Sequence, residues 1–287
     1  MDGPSPADRP ETLAARVAAR QWYHTLELAP GVVTPGYFDT RPIAARLPMP
    51  ARLDGLRCLD IGTFDGFWAF EMERRGAGEV VAADILDERR WDWPAVVDPA
   101  DYAAITERKG GGDGFSIAAE ALGSRVRRLD LSVYDLDPEV HGMFDLVYIG
   151  SLLLHLRDPI GALERARAVT RGRLLSVDAF SIPLTLSAPR RPTFRLEEGG
   201  RPYWLKPSLR GLREVIIRAG FRIESGPAPF LMPPGLGHPR PELRAYAVRT
   251  RAARNMLFCS RFGDPHAAVL ARPLPGAAPP GRAPRIG

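Results

Sequence analysis

The chain has 287 residues, 45% of them hydrophobic and 25% charged, the composition of one large or two small globular domains. It has no apolar run of the roughly 18 residues a membrane helix needs, and its first 21 residues lack the basic-then-apolar order of a secretion signal. A cytoplasmic location is expected, with no membrane partner. The net charge of +5 is weak evidence for nucleic acid, because all but two of the 39 basic residues (Lys109 and Lys206) are arginine in an Ala/Pro/Gly-rich chain, the mark of GC-rich coding. Two cysteines, Cys58 and Cys259, suit a reducing compartment, and no Cys/His cluster has zinc spacing, so no metal is expected.

In chain order, residues 1–21 read as a Pro/Asp-rich tail and a helix, with Leu13, Val17, Ala18 and Trp22 at helical spacing. Residues 22–50 are expected to form a lid, with a second short helix from Tyr37 to Leu47 that Pro48 and Pro50 end. Arg57–Ile61 is a short apolar strand. Gly62–Gly66 is a tight turn, Phe67–Arg75 a helix stopped by Gly76, and Glu79–Ile85 a second strand that carries Asp84 near its end. Residues 86–114 read as a long loop inserted into the domain. Phe115–Gly123 is a helix and Val126–Leu131 a third strand. Phe144–Gly150, uniformly apolar, is a central parallel strand. Leu152–Leu156 and Pro159–Thr170 are helical, and Arg173–Phe180 is the fifth strand. Residues 181–205 form a second, irregular insertion. Ser208–Gly220 is an amphipathic helix, and Phe221–Ser225, Leu243–Arg249 and Ala267–Ala271 are the last strands, with an antiparallel edge pair expected. Residues 272–287 read as a disordered tail. This alternation is an α/β, doubly wound, mostly parallel sheet spanning 22–271.

The strand–glycine turn–helix–strand unit at 57–85 has nucleotide-binding physics. Glycines let the backbone approach a ligand, and an acid at the end of the second strand accepts hydrogen bonds from ribose hydroxyls. A dinucleotide site wants G-x-G-x-x-G. Here the pattern is Asp60-x-Gly62-x-x-x-Gly66, and Asp60 and Asp65 would repel a pyrophosphate but not a sulfonium and an ammonium. His155, just after the central strand, and His24, beside Trp22 and Tyr23, are candidate bases, each weighed against a packing or capping role; Asp178 ranks behind them. His141, His238 and His266 read as turn or loop residues. Trp91, Trp93, Tyr203 and Trp204 lie in the insertions, where they either stack on a planar acceptor or pack the insertions down.

The Asp60–Gly66 motif resembles motif I of class I S-adenosylmethionine (SAM) methyltransferases. The run from Phe144 to Asp178, including the Leu154–His155 step before Arg157-Asp158-Pro159, is similar to the fourth and fifth strand region of the same superfamily. Residues 22–42 and 201–221 resemble a narrower group, that of the wobble-uridine tRNA carboxymethyltransferase. The likeness spans roughly Trp22 to Phe221. It implies a Rossmann-like methyltransferase fold with SAM as cofactor. By position, Asp60, Gly62, Thr63 and Gly66 would line the methionine end, Asp84 the ribose, Ile85, Ser132, Val133 and Tyr134 the adenine, and Gly150 and Ser151 the sulfonium. The tRNA group has a tyrosine where this chain has Leu154, and an arginine near Ala267 or Ala268, both needed for an extra cofactor carboxylate. Buried without partners such a carboxylate is costly. The expected cofactor is therefore plain SAM and the expected acceptor a small molecule, with secondary metabolism the setting that the composition suggests. A tRNA partner is disfavoured, and a non-catalytic SAM-binding protein is the remaining alternative.

Overall fold

The computed structural model describes residues 12–197, 202–240 and 251–277. Helix α1 (Leu13–Ala18) starts at Thr12, whose side chain accepts a hydrogen bond from the Ala15 amide. Then come four short strands, β1 (Trp22–His24), β2 (Glu27–Ala29), β3 (Val32–Val33) and β4 (Gly36–Phe38), and a single-turn helix α2 (Arg41–Ala44). Strand β1 pairs in parallel with β4, and β2 antiparallel with β3. Trp22 thus leaves the helix in which its spacing placed it, and Tyr37 and Phe38 are strand rather than helix. The reason is tertiary. The Trp22 indole folds back to donate to the Val17 carbonyl at 3.0 Å, and only a glycine at 36 allows the β1–β4 approach, since a Cβ there would lie 2.2 Å from the His24 backbone.

The body follows as β5 (Arg57–Ile61), α3 (Phe67–Arg74), β6 (Glu79–Asp84), α4 (Pro99–Lys109), α5 (Asp113–Leu122) and β7 (Arg127–Asp130). After these come α6 (Pro138–His141), β8 (Phe144–Gly150), α7 (Pro159–Ala168), β9 (Thr170–Ala179), α8 (Ile182–Ser187), β10 (Phe194–Leu196), β11 (Leu205–Pro207) and α9 (Leu209–Arg218). The last elements are β12 (Phe221–Met232), α10 (Arg251–Phe262) and β13 (Asp264–Pro273). Seven strands form one sheet in the order β12-β13-β9-β8-β5-β6-β7. The five from β9 to β7 are parallel, and β13 runs antiparallel between β9 and β12. The expected doubly wound, mostly parallel sheet is present, with its antiparallel strand one place in from the edge.

Period-two alternation divides the core between the two sheet faces. Cys58, Ala82, Leu146, Tyr148 and Val177 pack under Trp68, Met72 and Phe115 on one side. Leu59, Ile61, Val147, Ile149 and Leu174 pack under Leu163 and Ala166 of α7 and Leu212 and Ile216 of α9 on the other.

Three departures from the sequence reading bear on the site. The first insertion is not a loop throughout: Asp98 caps α4 by accepting from the Ala100 amide, Pro99 occupies its first turn, and Gly110 closes it in the left-handed region. The second insertion carries α8, capped by Ser181, and the β10–β11 hairpin. Arg272 and Pro273, placed in the tail by composition, belong to β13, where they pair with Arg222 and Phe221; the Leu274 amide then donates to the Gly220 carbonyl at 2.9 Å. The expected strand Leu243–Arg249 lies outside the described residues. No helix among the described residues is long and apolar enough to cross a membrane.

Candidate active site

The glycine turn and the ends of β6, β8 and β9 share the carboxyl edge of the parallel strands, where open α/β sheets bind ligands. Gly62 and Gly66 sit at φ +75° and +93°, and a Cβ on Gly66 would lie 2.4 Å from the Phe70 ring and 2.8 Å from Phe115. Between them Phe64, at φ +56°, holds the left-handed conformation despite its side chain. Asp60 is buried and accepts from the Thr63 hydroxyl at 2.6 Å. Burial pushes its carboxyl up to about 7, against the hydrogen bond from Thr63.

Asp65 has a use that its place in the turn did not reveal. Its Oδ2 accepts from the Tyr23 and His24 amides at 2.8 Å each, and its Oδ1 pairs with Nδ1 of His24. Both side chains are buried. His24 therefore clamps the N-terminal strands onto the glycine turn, with its ring stacked 5.5 Å from Phe67. The side-chain signal was in the sequence, but the pairing crosses 41 residues.

Asp84 stands at the end of β6 as expected, and a partner comes from the first insertion. Its Oδ2 accepts from the Phe64 amide at 2.7 Å and forms an ion pair with Nζ of Lys109, the last residue of α4. The Lys109 side chain is fully buried, its Nζ 4.7 Å from the Phe64 ring centroid. Burial lowers its pKa, and Asp84 opposes that shift. The other oxygen, Oδ1, makes no hydrogen bond among the described residues. Next to it the Trp91 indole donates to the Ile85 carbonyl at 3.1 Å.

The insertions are bound to each other through Asp92. Its Oδ2 accepts from the Tyr134 hydroxyl at 3.1 Å and the Arg157 amide at 2.6 Å, and its carbonyl accepts from the Trp204 indole. Trp91 stacks on Trp93 at 5.4 Å, and Trp93 meets Tyr102 at 4.9 Å. In the segment after β7, Ser132 caps a 3-10 turn, Val133 is buried in the core and Tyr134 gives its hydroxyl to Asp92.

At the end of β8, a Cβ on Gly150 would lie 2.3 Å from the Tyr148 hydroxyl, so glycine is required there. Ser151 follows at φ +51°, its Oγ 3.0 Å from Nε2 of His266. His266 is thus no loop residue: it sits in β13 opposite Ala179 of β9, at the same edge of the sheet, and is buried. His155 donates from Nδ1 to the Pro202 carbonyl at 3.0 Å and meets Tyr203 edge-on at 5.0 Å, which fastens the second insertion to the strand end. Burial holds its pKa down at about 4. Asp178 is fully engaged: Oδ1 accepts from the Leu152 and Leu153 amides at 3.1 Å each, and Oδ2 from the Ser176 hydroxyl at 2.7 Å.

No family model and no curated protein sequence matches the chain. Solved structures do. A chain of the complex between the Haloferax volcanii Trm112 methyltransferase activator and a methyltransferase is 16% identical, with 92% of this chain and 96% of that one aligned and a TM-score of 0.50. The N-terminal domain of EvdMO1, solved in the presence of SAH and D-fucose, is 15% identical over 91% of this chain and 95% of that one, also with a TM-score of 0.50. The 1,6-didemethyltoxoflavin-N1-methyltransferase of Burkholderia thailandensis is 20% identical over 82% and 78%, with a TM-score of 0.48. The chain has the Rossmann-like fold of class I methyltransferases.

Proposed function

We propose that the protein is a SAM-dependent methyltransferase acting on a small molecule. The observation that carries the reading is Asp84: a carboxylate at the end of the second parallel strand, fixed through Oδ2 by Phe64 and Lys109, with Oδ1 left to accept from a ribose hydroxyl. The other residues fit the same cofactor. Gly62 and Gly66 give the turn its left-handed backbone, and Asp60 supplies a buried acid for an ammonium. Gly150 and Ser151 close the site beneath the sulfonium, and Ile85, with the residues after β7, lies at the adenine end. The presence of SAH with the EvdMO1 domain supports the assignment.

When bound, SAM supplies an electrophilic methyl group on a positively charged sulfur. The chain's part is placement and the exclusion of water. Asp65 and His24 hold the N-terminal strands over the turn. His155 and Trp204 hold the second insertion against β8, and Trp91 covers the end of β6. Both histidines expected to be bases act here as positioning groups.

Calorimetric titration with SAM tests the reading. Binding to the wild-type protein that is lost in Asp84→Asn, with the variant still unfolding in one cooperative transition, supports it. A folded wild-type protein that takes up neither SAM nor SAH refutes it.

A further inference from the structure

Three side chains from distant parts of the chain meet where β8, β9 and β13 reach the carboxyl edge. The Ser151 hydroxyl lies 3.0 Å from Nε2 of His266 and neighbours the Tyr23 phenol. On its far side His266 has Nδ1 3.0 Å from the Asp264 carbonyl oxygen. A carbonyl only accepts, so Nδ1 carries the ring proton and Nε2 presents a bare lone pair to which Ser151 donates. Asp264 Oδ1 is buried with no hydrogen-bond partner among the described residues. The surroundings are otherwise aromatic, with Phe38 at 5.8 Å and Phe230 at 6.2 Å from the imidazole. Burial and the Lys206 ammonium lower the His266 pKa, and the Asp264 carboxylate opposes them. Burial raises that of Tyr23 far above the neutral range, so the phenol keeps its proton. The left-handed backbone of Ser151 is a strained conformation for a non-glycine residue, and it is what aims the hydroxyl at His266.

We propose that the acceptor atom is a hydroxyl oxygen and that His266, acting through Ser151, takes its proton. The inference rests on the methyl-transfer reading above. A neutral amine can shed its proton to water after alkylation, whereas a hydroxyl oxygen needs its proton removed as the bond forms. A bare imidazole nitrogen at the reacting edge of the sheet therefore has a task with a hydroxyl acceptor. As the acceptor oxygen bonds to the methyl carbon, the carbon–sulfur bond breaks and its electron pair stays on sulfur as a neutral thioether. The hydroxyl proton passes to Ser151 Oγ while the Ser151 proton passes to Nε2. The imidazolium, steadied by Asp264, then releases a proton to water.

The test has two arms, both after SAM binding is established; absence of binding overturns the methyl-transfer reading and this inference with it. In the first, methyl-labelled SAM is offered with catechol, benzylamine or thiophenol. The expected result is labelled ether from catechol. His266→Gln should lower kcat on the order of 100-fold, leave SAM affinity and the catechol KM unchanged, and show a residual rate that climbs with pH; Ser151→Ala, which removes the relay, should lower kcat by a similar factor. Label confined to the amine or thiol, or a His266→Gln rate equal to wild type, overturns the proposal. The second arm needs no turnover and decides where none of the probes takes label. Nitrogen NMR of the His266 ring in the SAH complex should show a proton on Nδ1 and none on Nε2. A protonated Nε2 overturns the assignment.

Discussion

Asp84→Ala should do more than remove the proposed ribose contact. The Lys109 side chain is fully buried and its ammonium is paired with Asp84, whose own side chain is 12% exposed. Deleting the carboxylate leaves a buried cation facing the Phe64 and Trp91 rings. Breaking a buried pair from one side costs about 3–5 kcal/mol, partly relieved because the orphaned amine can lose its proton. At about 2–4 °C per kcal/mol for a domain approaching this size, Tm should fall by about 10 °C. Adding Lys109→Met removes the orphan, and the double variant should return to within about 1 kcal/mol of wild type or exceed it. SAM binding should be lost in both. Urea and thermal unfolding followed in parallel with SAM calorimetry separate the two roles. An Asp84→Ala protein as stable as wild type, or a double variant no better than the single one, would refute the argument that Lys109 is a buried charge dependent on Asp84.

Gly66→Ala forces a side chain into the left-handed region and against the Phe70 and Phe115 rings; a loss of more than about 2 kcal/mol is expected in urea unfolding, and a change below about 0.5 kcal/mol would count against the close approach. Asp60 ionises near pH 7 in the fold, so SAM affinity should weaken as pH falls through about 7 and become flat, and lower, in Asp60→Asn. Because that folded pKa lies above the unfolded one, the stability contributed by the protonated acid is lost as pH rises through about 7, and Asp60→Asn should be the more stable protein at pH 8. His155 runs the other way. It stays neutral in the fold down to about pH 4 but takes a proton near its usual value of about 6.5 when unfolded. Wild-type stability should therefore drop relative to His155→Gln as pH falls across that window, a comparison that denaturant unfolding at a series of pH values makes directly.

Local pattern was enough to place β5, the glycine turn, α3 and β6, and with them Asp60, Gly62, Gly66 and Asp84. Those features depend on neighbours within a few residues: apolar runs, glycine where φ is positive, an acid at a strand end. The parallel order was legible for the same reason, since strands and helices alternate along the chain. What lay out of reach were the contacts between segments. The bond between Asp65 and His24 spans 41 residues, and that between Ser151 and His266 spans 115. The Lys109–Asp84 pair, 25 residues apart, depends on α4 folding inside what composition reads as a loop. His266 passed for a loop residue because Asp-Pro-His carries no strand signal; it enters β13 only because that strand inserts between β9 and β12. Short-range periodicity was sufficient for the scaffold and the glycine turn, because both depend on neighbours only a few residues away. Tertiary structure alone decided which titratable groups are buried together, because burial and ion pairing are set by register and packing between distant segments.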